Sequence, residues 1–119
     1  MINIYKVAID YDGVISANYQ HYFQLSADFM RNGIAVYVLS AAKESRQENI
    51  LEELDRLNFP CLEKIFRPVD FVSTPFNIGT WKKIKLIEYD IDLFFDNDIK
   101  QYEQSGVTFN DIETQLVRI

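Results

Sequence analysis

The stretch that decides the reading of this chain is Lys6–Ser16, KVAIDYDGVIS. A run of apolar, β-favouring residues (Val7, Ala8, Ile9) ends abruptly in Asp10 and Asp12, with Gly13 directly behind. Two carboxylates at the end of a buried strand are costly to desolvate unless something compensates them. Taken alone, Asp12-Gly13 also reads as a polar turn. The remainder of the chain decides between a turn and a site.

The chain has 119 residues, enough for one domain with a proper core, and 48% of them are hydrophobic. Asp plus Glu number 18 against 12 Lys plus Arg, a net charge of −6. No basic stripe marks a nucleic-acid footprint; the densest cationic group is Lys82, Lys83 and Lys85. One cysteine, Cys61, excludes an intramolecular disulfide, and one histidine, His21, excludes a multi-histidine zinc site. No signal-peptide core and no apolar run of membrane length is present, so the cytoplasm is the expected compartment.

Outward from the first strand, the pattern alternates. Residues 19–32 read as a helix with Tyr22, Phe23, Phe29 and Met30 at helical spacing, stopped by Asn32-Gly33. Ile34–Ser40, IAVYVLS, is a second strand, apolar throughout and then polar. Residues 43–59 form a helix with Ile50, Leu51, Leu54 and Leu57 on one face. A short third strand is expected within 64–72, then a loop over 73–80, and a helix from Thr80 to Tyr89 with Trp81 and Ile84 turned inward. IDLFFDND, Ile91–Asp98, is a fourth strand ending in acids like the first. A short helix over 99–105 stops at Gly106, and Val107–Phe109 reads as an edge strand. The alternation predicts a three-layer α/β/α sandwich around a Rossmann-like, mostly parallel sheet. Ligands in such sheets bind outside the carboxyl ends of the strands. Three strands end there in polar groups: Asp10/Asp12, Ser40, and Asp96/Asp98. Oxygen-only ligands of this kind suit Mg²⁺ with substrate phosphate, and an ionised aspartate beside it is a nucleophile for phosphoryl transfer.

With these residues in view, the chain resembles the haloacid dehalogenase-like (HAD) phosphohydrolases. DYDGV resembles their D-x-D-G-[TV] signature, and VYVLS their second motif. The lysines followed by a strand ending in acids, WKKIKLIEYDIDLFFDND, resemble the third and fourth, in the same order. The resemblance implies that Asp10 is the nucleophile and a metal ligand, and that Asp12 is the general acid/base and a metal ligand through its backbone carbonyl. It implies that Ser40 and Ala41 bind the phosphoryl group, that Lys82 or its neighbour Lys83 steadies the nucleophile, and that Asp96 completes a Mg²⁺ site. The reaction implied is hydrolysis of a phosphate monoester through an aspartyl-phosphate. Retention of Asp12 favours this over carbon–halogen cleavage.

Two departures stand out. Asn97 follows Asp96 where many members have a second acid, and the next acid here is Asp98, which is equally an N-cap for the following helix. Only 27 residues separate Asp12 from Ser40, too few for a cap domain. An uncapped site suits the phosphorylated end of a large molecule or a loosely bound small ester, with a nucleotide or a nucleic-acid end as first candidate by fold analogy; a neighbouring subunit is an alternative lid. The competing expectations are a catalytically silent HAD-like domain that binds phosphate or a partner, and a receiver-type domain phosphorylated on aspartate.

Overall fold

The computed structural model describes residues 3–119. Five parallel strands form one sheet: β1 (Lys6–Asp10), β2 (Ala35–Ser40), β3 (Glu63–Phe66), β4 (Leu93–Asp96) and β5 (Gln115–Arg118). Their spatial order is β3-β2-β1-β4-β5. The chain moves outward from β1 through β2 to β3, then returns to the other side of β1. The switch point therefore lies between β1 and β4, where a crevice opens beyond the strand ends. Register fixes what stands there. Ile9 pairs with Phe95 and Asp10 with Leu39, so Asp10 and Asp96 leave neighbouring strands at the same level.

The near-continuous apolar strands are explained by helices on both faces. Val7, Ile9, Val36 and Val38 pack with Tyr22 of α1 (Tyr19–Arg31) and with Ile50 and Leu54 of α2 (Glu44–Arg56). The alternate residues Ala8, Tyr37, Leu39 and Phe94 pack with Trp81 and Leu86 of α3 (Pro75–Glu88) and with Ile99 and Tyr102 of α4 (Ile99–Gln104). Each strand thus divides its side chains by period two between two apolar layers. No helix of the described residues is long and apolar enough to cross a membrane.

Several boundaries differ from the sequence expectation. The expected 73–80 loop is largely helix: α3 begins at Pro75, five residues before Thr80. Thr74 caps it, its hydroxyl accepting from the Asn77 N–H at 3.1 Å, and Pro75 occupies the first turn, where its missing N–H costs nothing. Gly79, within that expected loop, instead packs inside α3: a Cβ there would lie 2.6 Å from Cβ of Tyr102. The inward face of α3 carries Gly79, Trp81, Lys82 and Leu86, which turns Ile84 out to 54% exposure. A buried lysine on that face is what the apolar phase misread. Leu51 of α2 is likewise 39% exposed. Val107–Phe109 is not a strand; Val107 and Phe109 are buried with Thr108 exposed between them, a period-two pattern on irregular chain. The fifth strand is instead Gln115–Arg118, in the segment from Asn110 onward, to which the sequence pattern assigns no element.

The close approach of Gly79 to Tyr102 gives a test. Gly79→Ala, favourable by helix propensity, is expected to destabilise the protein by about 1–3 kcal/mol through overpacking. Urea denaturation measures the difference.

Candidate active site

Asp10 ends β1 because the apolar run before it is pinned between two parallel neighbours. The chain then makes a wide turn over Tyr11–Ile15, closed by Ser16 N–H donating to the Tyr11 carbonyl at 2.9 Å. Gly13 is required in it: its φ is +78°, and a Cβ would lie 2.1 Å from Nδ2 of Asn97. The turn after β1 and the end of β4 therefore lock together, with Asn97 as the contact.

Asp10, Asp96 and Lys82 form a buried cluster at this switch point. The Lys82 ammonium lies 2.7 Å from Oδ2 of Asp96 and 3.2 Å from Oδ1 of Asp10. All three residues are at most 3% exposed. The rings of Tyr102 and Phe94 flank the ammonium at 5.3 and 5.8 Å. Burial alone would strip the proton from Lys82, but Asp10 and Asp96 outweigh it and hold the ammonium charged, above its ordinary range. Asp10 moves the other way. Burial, offset in part by Lys82 and reinforced by Asp96, raises its carboxyl from 3.8 to about 7. The remaining oxygen of Asp96 accepts from the Asp98 backbone N–H at 2.7 Å.

The adjacent lysines are thereby told apart. Lys82 joins the cluster, whereas Lys83 bonds Asp111 at 2.8 Å on the surface. Ser40, at the end of β2, is buried and its Oγ accepts from the Ala42 N–H at 3.2 Å. The loop after it is fixed from outside: Arg67 Nε and Gln47 Nε2 both donate to the Ala42 carbonyl at 3.0 Å. A cleft of about 140 Å³ lies at the strand ends, with Asp10, Asp12, Lys82 and Asp98 as its polar walls. Ala41, Ile78 and Tyr102 line the rest. A larger depression of about 250 Å³, beside the N-terminal ends of β4 and β5, is lined by Ile87, Ile112 and the acids Asp90, Asp111 and Glu113, of which Asp111 is paired with Lys83.

Carboxylate oxygens of Asp10, Asp96 and Asp98 all lie within 4.8 Å of one another, close enough to share a cation. The charges fit one: two buried aspartates face a single ammonium, leaving a surplus negative charge that Asp98 enlarges. An oxygen-only donor set suits a hard cation such as Mg²⁺. Asp98 heads α4 but makes no side-chain cap bond, so its carboxylate stays available to this cluster. The Asp12 carboxylate is outside it, held by both terminal nitrogens of Arg46 at 2.8 and 2.9 Å. Sequence reading left Arg46, Arg67 and Tyr102 unremarked, because each reaches the site from a remote segment at no motif spacing.

No family model matches the chain and no curated protein matches it. Among solved structures, it is similar to the NMR structure of the core domain of a "putative phosphoglycolate phosphatase" from Streptococcus pneumoniae TIGR4, with a TM-score of 0.53 and 16% identity. The match covers 99% of this chain and 89% of that one. The chain shares the fold of that core domain. The five-stranded parallel sheet flanked by helices agrees with the expected three-layer architecture.

Opposite stability effects are expected at the two ends of the buried cluster. Lys82→Met leaves two buried carboxylates unpaired and should cost about 3–5 kcal/mol. Asp10→Asn removes the surplus charge and should leave the metal-free protein at least as stable at pH 8. Because folding raises the Asp10 value, the metal-free wild type binds a proton there that the unfolded chain has released. Its stability should therefore fall as pH rises from 3.8 towards about 7, a slope missing from Asp10→Asn. Urea titrations across this pH range check both statements.

Proposed function

We propose that this protein is an HAD-type, Mg²⁺-dependent phosphatase that cleaves a phosphate monoester through an aspartyl-phosphate on Asp10. The observation that carries the reading is the buried Asp10–Lys82–Asp96 cluster at the switch point, opening on a cleft walled by Asp12 and Asp98. The likeness in fold to a phosphatase core domain supports it at a coarse level.

In this reading each residue has one task. Lys82 holds one oxygen of Asp10 and leaves the other to attack phosphorus. As the Asp10–P bond forms, the bond from phosphorus to the leaving oxygen breaks, and Asp12 gives that oxygen its proton. The Ser40 hydroxyl and the Ala41 N–H take the equatorial phosphoryl oxygens, where charge accumulates. Water, deprotonated by Asp12, then attacks phosphorus and releases inorganic phosphate and Asp10. Asp10, Asp96 and Asp98, with the Asp12 carbonyl, would hold Mg²⁺, whose chemistry is to neutralise carboxylate and phosphoryl charge at once. The cleft is far smaller than an enclosing ligand pocket, so most of the substrate lies outside it. That suits a nucleotide or the phosphorylated end of a larger molecule.

Phosphate release from phenyl phosphate, followed with Mg²⁺ and with chelator, tests the reading. Turnover should require Mg²⁺, fall by about 10³-fold or more in Asp10→Asn, and fall by roughly 10²–10⁴-fold in Asp12→Asn. Mg²⁺ binding without turnover of any monoester would turn the assignment to a silent, ligand-binding domain.

A further inference from the structure

The Asp12 carboxylate is tied by a contact that spans 34 residues of sequence. Nη1 of Arg46, in the first turn of α2, donates to Oδ2 at 2.9 Å, and Nη2 donates to Oδ1 at 2.8 Å. Both oxygens thus accept from the guanidinium, so the carboxylate is held by Arg46 at the edge of the cleft it lines. The pair is open to water, with the two side chains 52% and 46% exposed, so it is weak and exchanges readily. Arg46 spends two of its five N–H donors on Asp12, and the other three bond no side chain among the described residues.

The surroundings make this contact selective for substrate charge. A cleft of about 140 Å³ takes a phosphoryl group and little more, so the leaving group runs out over the rim where Asp12 and Arg46 stand. The cation inside the cleft, Lys82, is consumed by Asp10 and Asp96. The other charged walls are acidic. A second oxyanion on the leaving group meets the acidic walls Asp12 and Asp98, whereas Arg46, beside Asp12, offers it further N–H donors.

We propose that Arg46 is a specificity-determining residue that receives a second oxyanion, carboxylate or phosphate, on the substrate's leaving group, and that this exchange frees Asp12 to face the leaving oxygen. The proposal rests on the phosphatase reading above and names its substrate class. Two N–H···O bonds to Asp12 are given up and two to the incoming oxyanion are formed; no covalent bond changes in the exchange. A substrate lacking the second anion would bind by its phosphoryl group and leave Asp12 clamped. Discrimination is therefore expected in kcat as well as in KM.

The test uses two matched pairs with Mg²⁺: phenyl phosphate against 3-carboxyphenyl phosphate, and adenosine 5′-monophosphate against adenosine 3′,5′-bisphosphate with the products identified. The wild type should favour the doubly anionic member by about 10-fold or more in kcat/KM in at least one pair. The pair that shows it identifies the oxyanion as carboxylate or phosphate. Arg46→Gln should bring that preference close to unity and raise kcat on the singly charged member, because Asp12 is no longer clamped. Arg46→Lys, which keeps charge without the fork, should lie between. A thermal melt near that of the wild type would show that Arg46→Gln is folded, as its exposure requires. Equal loss on both members in Arg46→Gln would overturn the proposal and make Arg46 a mere orienter of Asp12. No preference in the wild type, with turnover intact, would also overturn it while sparing the phosphatase reading. Absence of phosphate release from all four compounds would sink that reading, and this one with it.

Discussion

Lys82 is the interaction on which the rest of this structure depends. A lysine at 2% exposure is tolerable only because two aspartates meet it, at 2.7 and 3.2 Å. The aspartates meet it because β1 and β4 are neighbours in register across the switch point. α3 in turn must present that lysine inward, and it makes room by placing Gly79 against Tyr102 one turn earlier. Strand order, helix phase and a close helix–helix approach are all conditions for one buried cation.

The cluster is unequal by design of charge. Two carboxylates share one ammonium, and a third, Asp98, stands within reach. Surplus negative charge is a poor device for stability, since an apolar replacement of a buried ion group is often neutral or better. Under the proposed reading it serves to hold a cation next to Asp10. On that phosphatase reading, folding free energy is given up here for chemistry, as is common at functional sites. The fixed surroundings agree: Arg67 and Gln47 fasten the Ala42 carbonyl, and Asn97 closes on Gly13, so the loops that frame the cleft are each tied by a contact from another element.

Around this buried floor the mouth is open to water. The absence of an inserted domain among the described residues leaves the cleft small and open, and the exposed Arg46–Asp12 pair is its one charged contact across the rim. A capped site would select its substrate by enclosure; an open one has only such rim contacts to select with.

Much of this was legible from sequence, and the reason is local. Apolar runs ending in acids or serine gave β1, β2 and β4 and nominated Asp10, Asp12, Ser40 and Asp96, because a strand's period and a carboxylate's cost are written in consecutive residues. The alternation of strands and helices gave a parallel, doubly wound sheet by the handedness and length of crossovers. What failed was decided by contacts between remote segments. The 73–80 segment reads as a loop because the packing partner of Gly79, Tyr102, is 23 residues away. Ile84 looked internal because a lysine, not an isoleucine, is what α3 buries. The choice between Lys82 and Lys83 required the helix phase set by Asp10 and Asp96, and the hold of Arg46 on Asp12 required α2 to lie beside the turn after β1. Sequence alone determined which residue types end the strands; only the tertiary structure decided which charges meet, because electrostatic partnership depends on distance in space and burial, neither of which has a period in the chain.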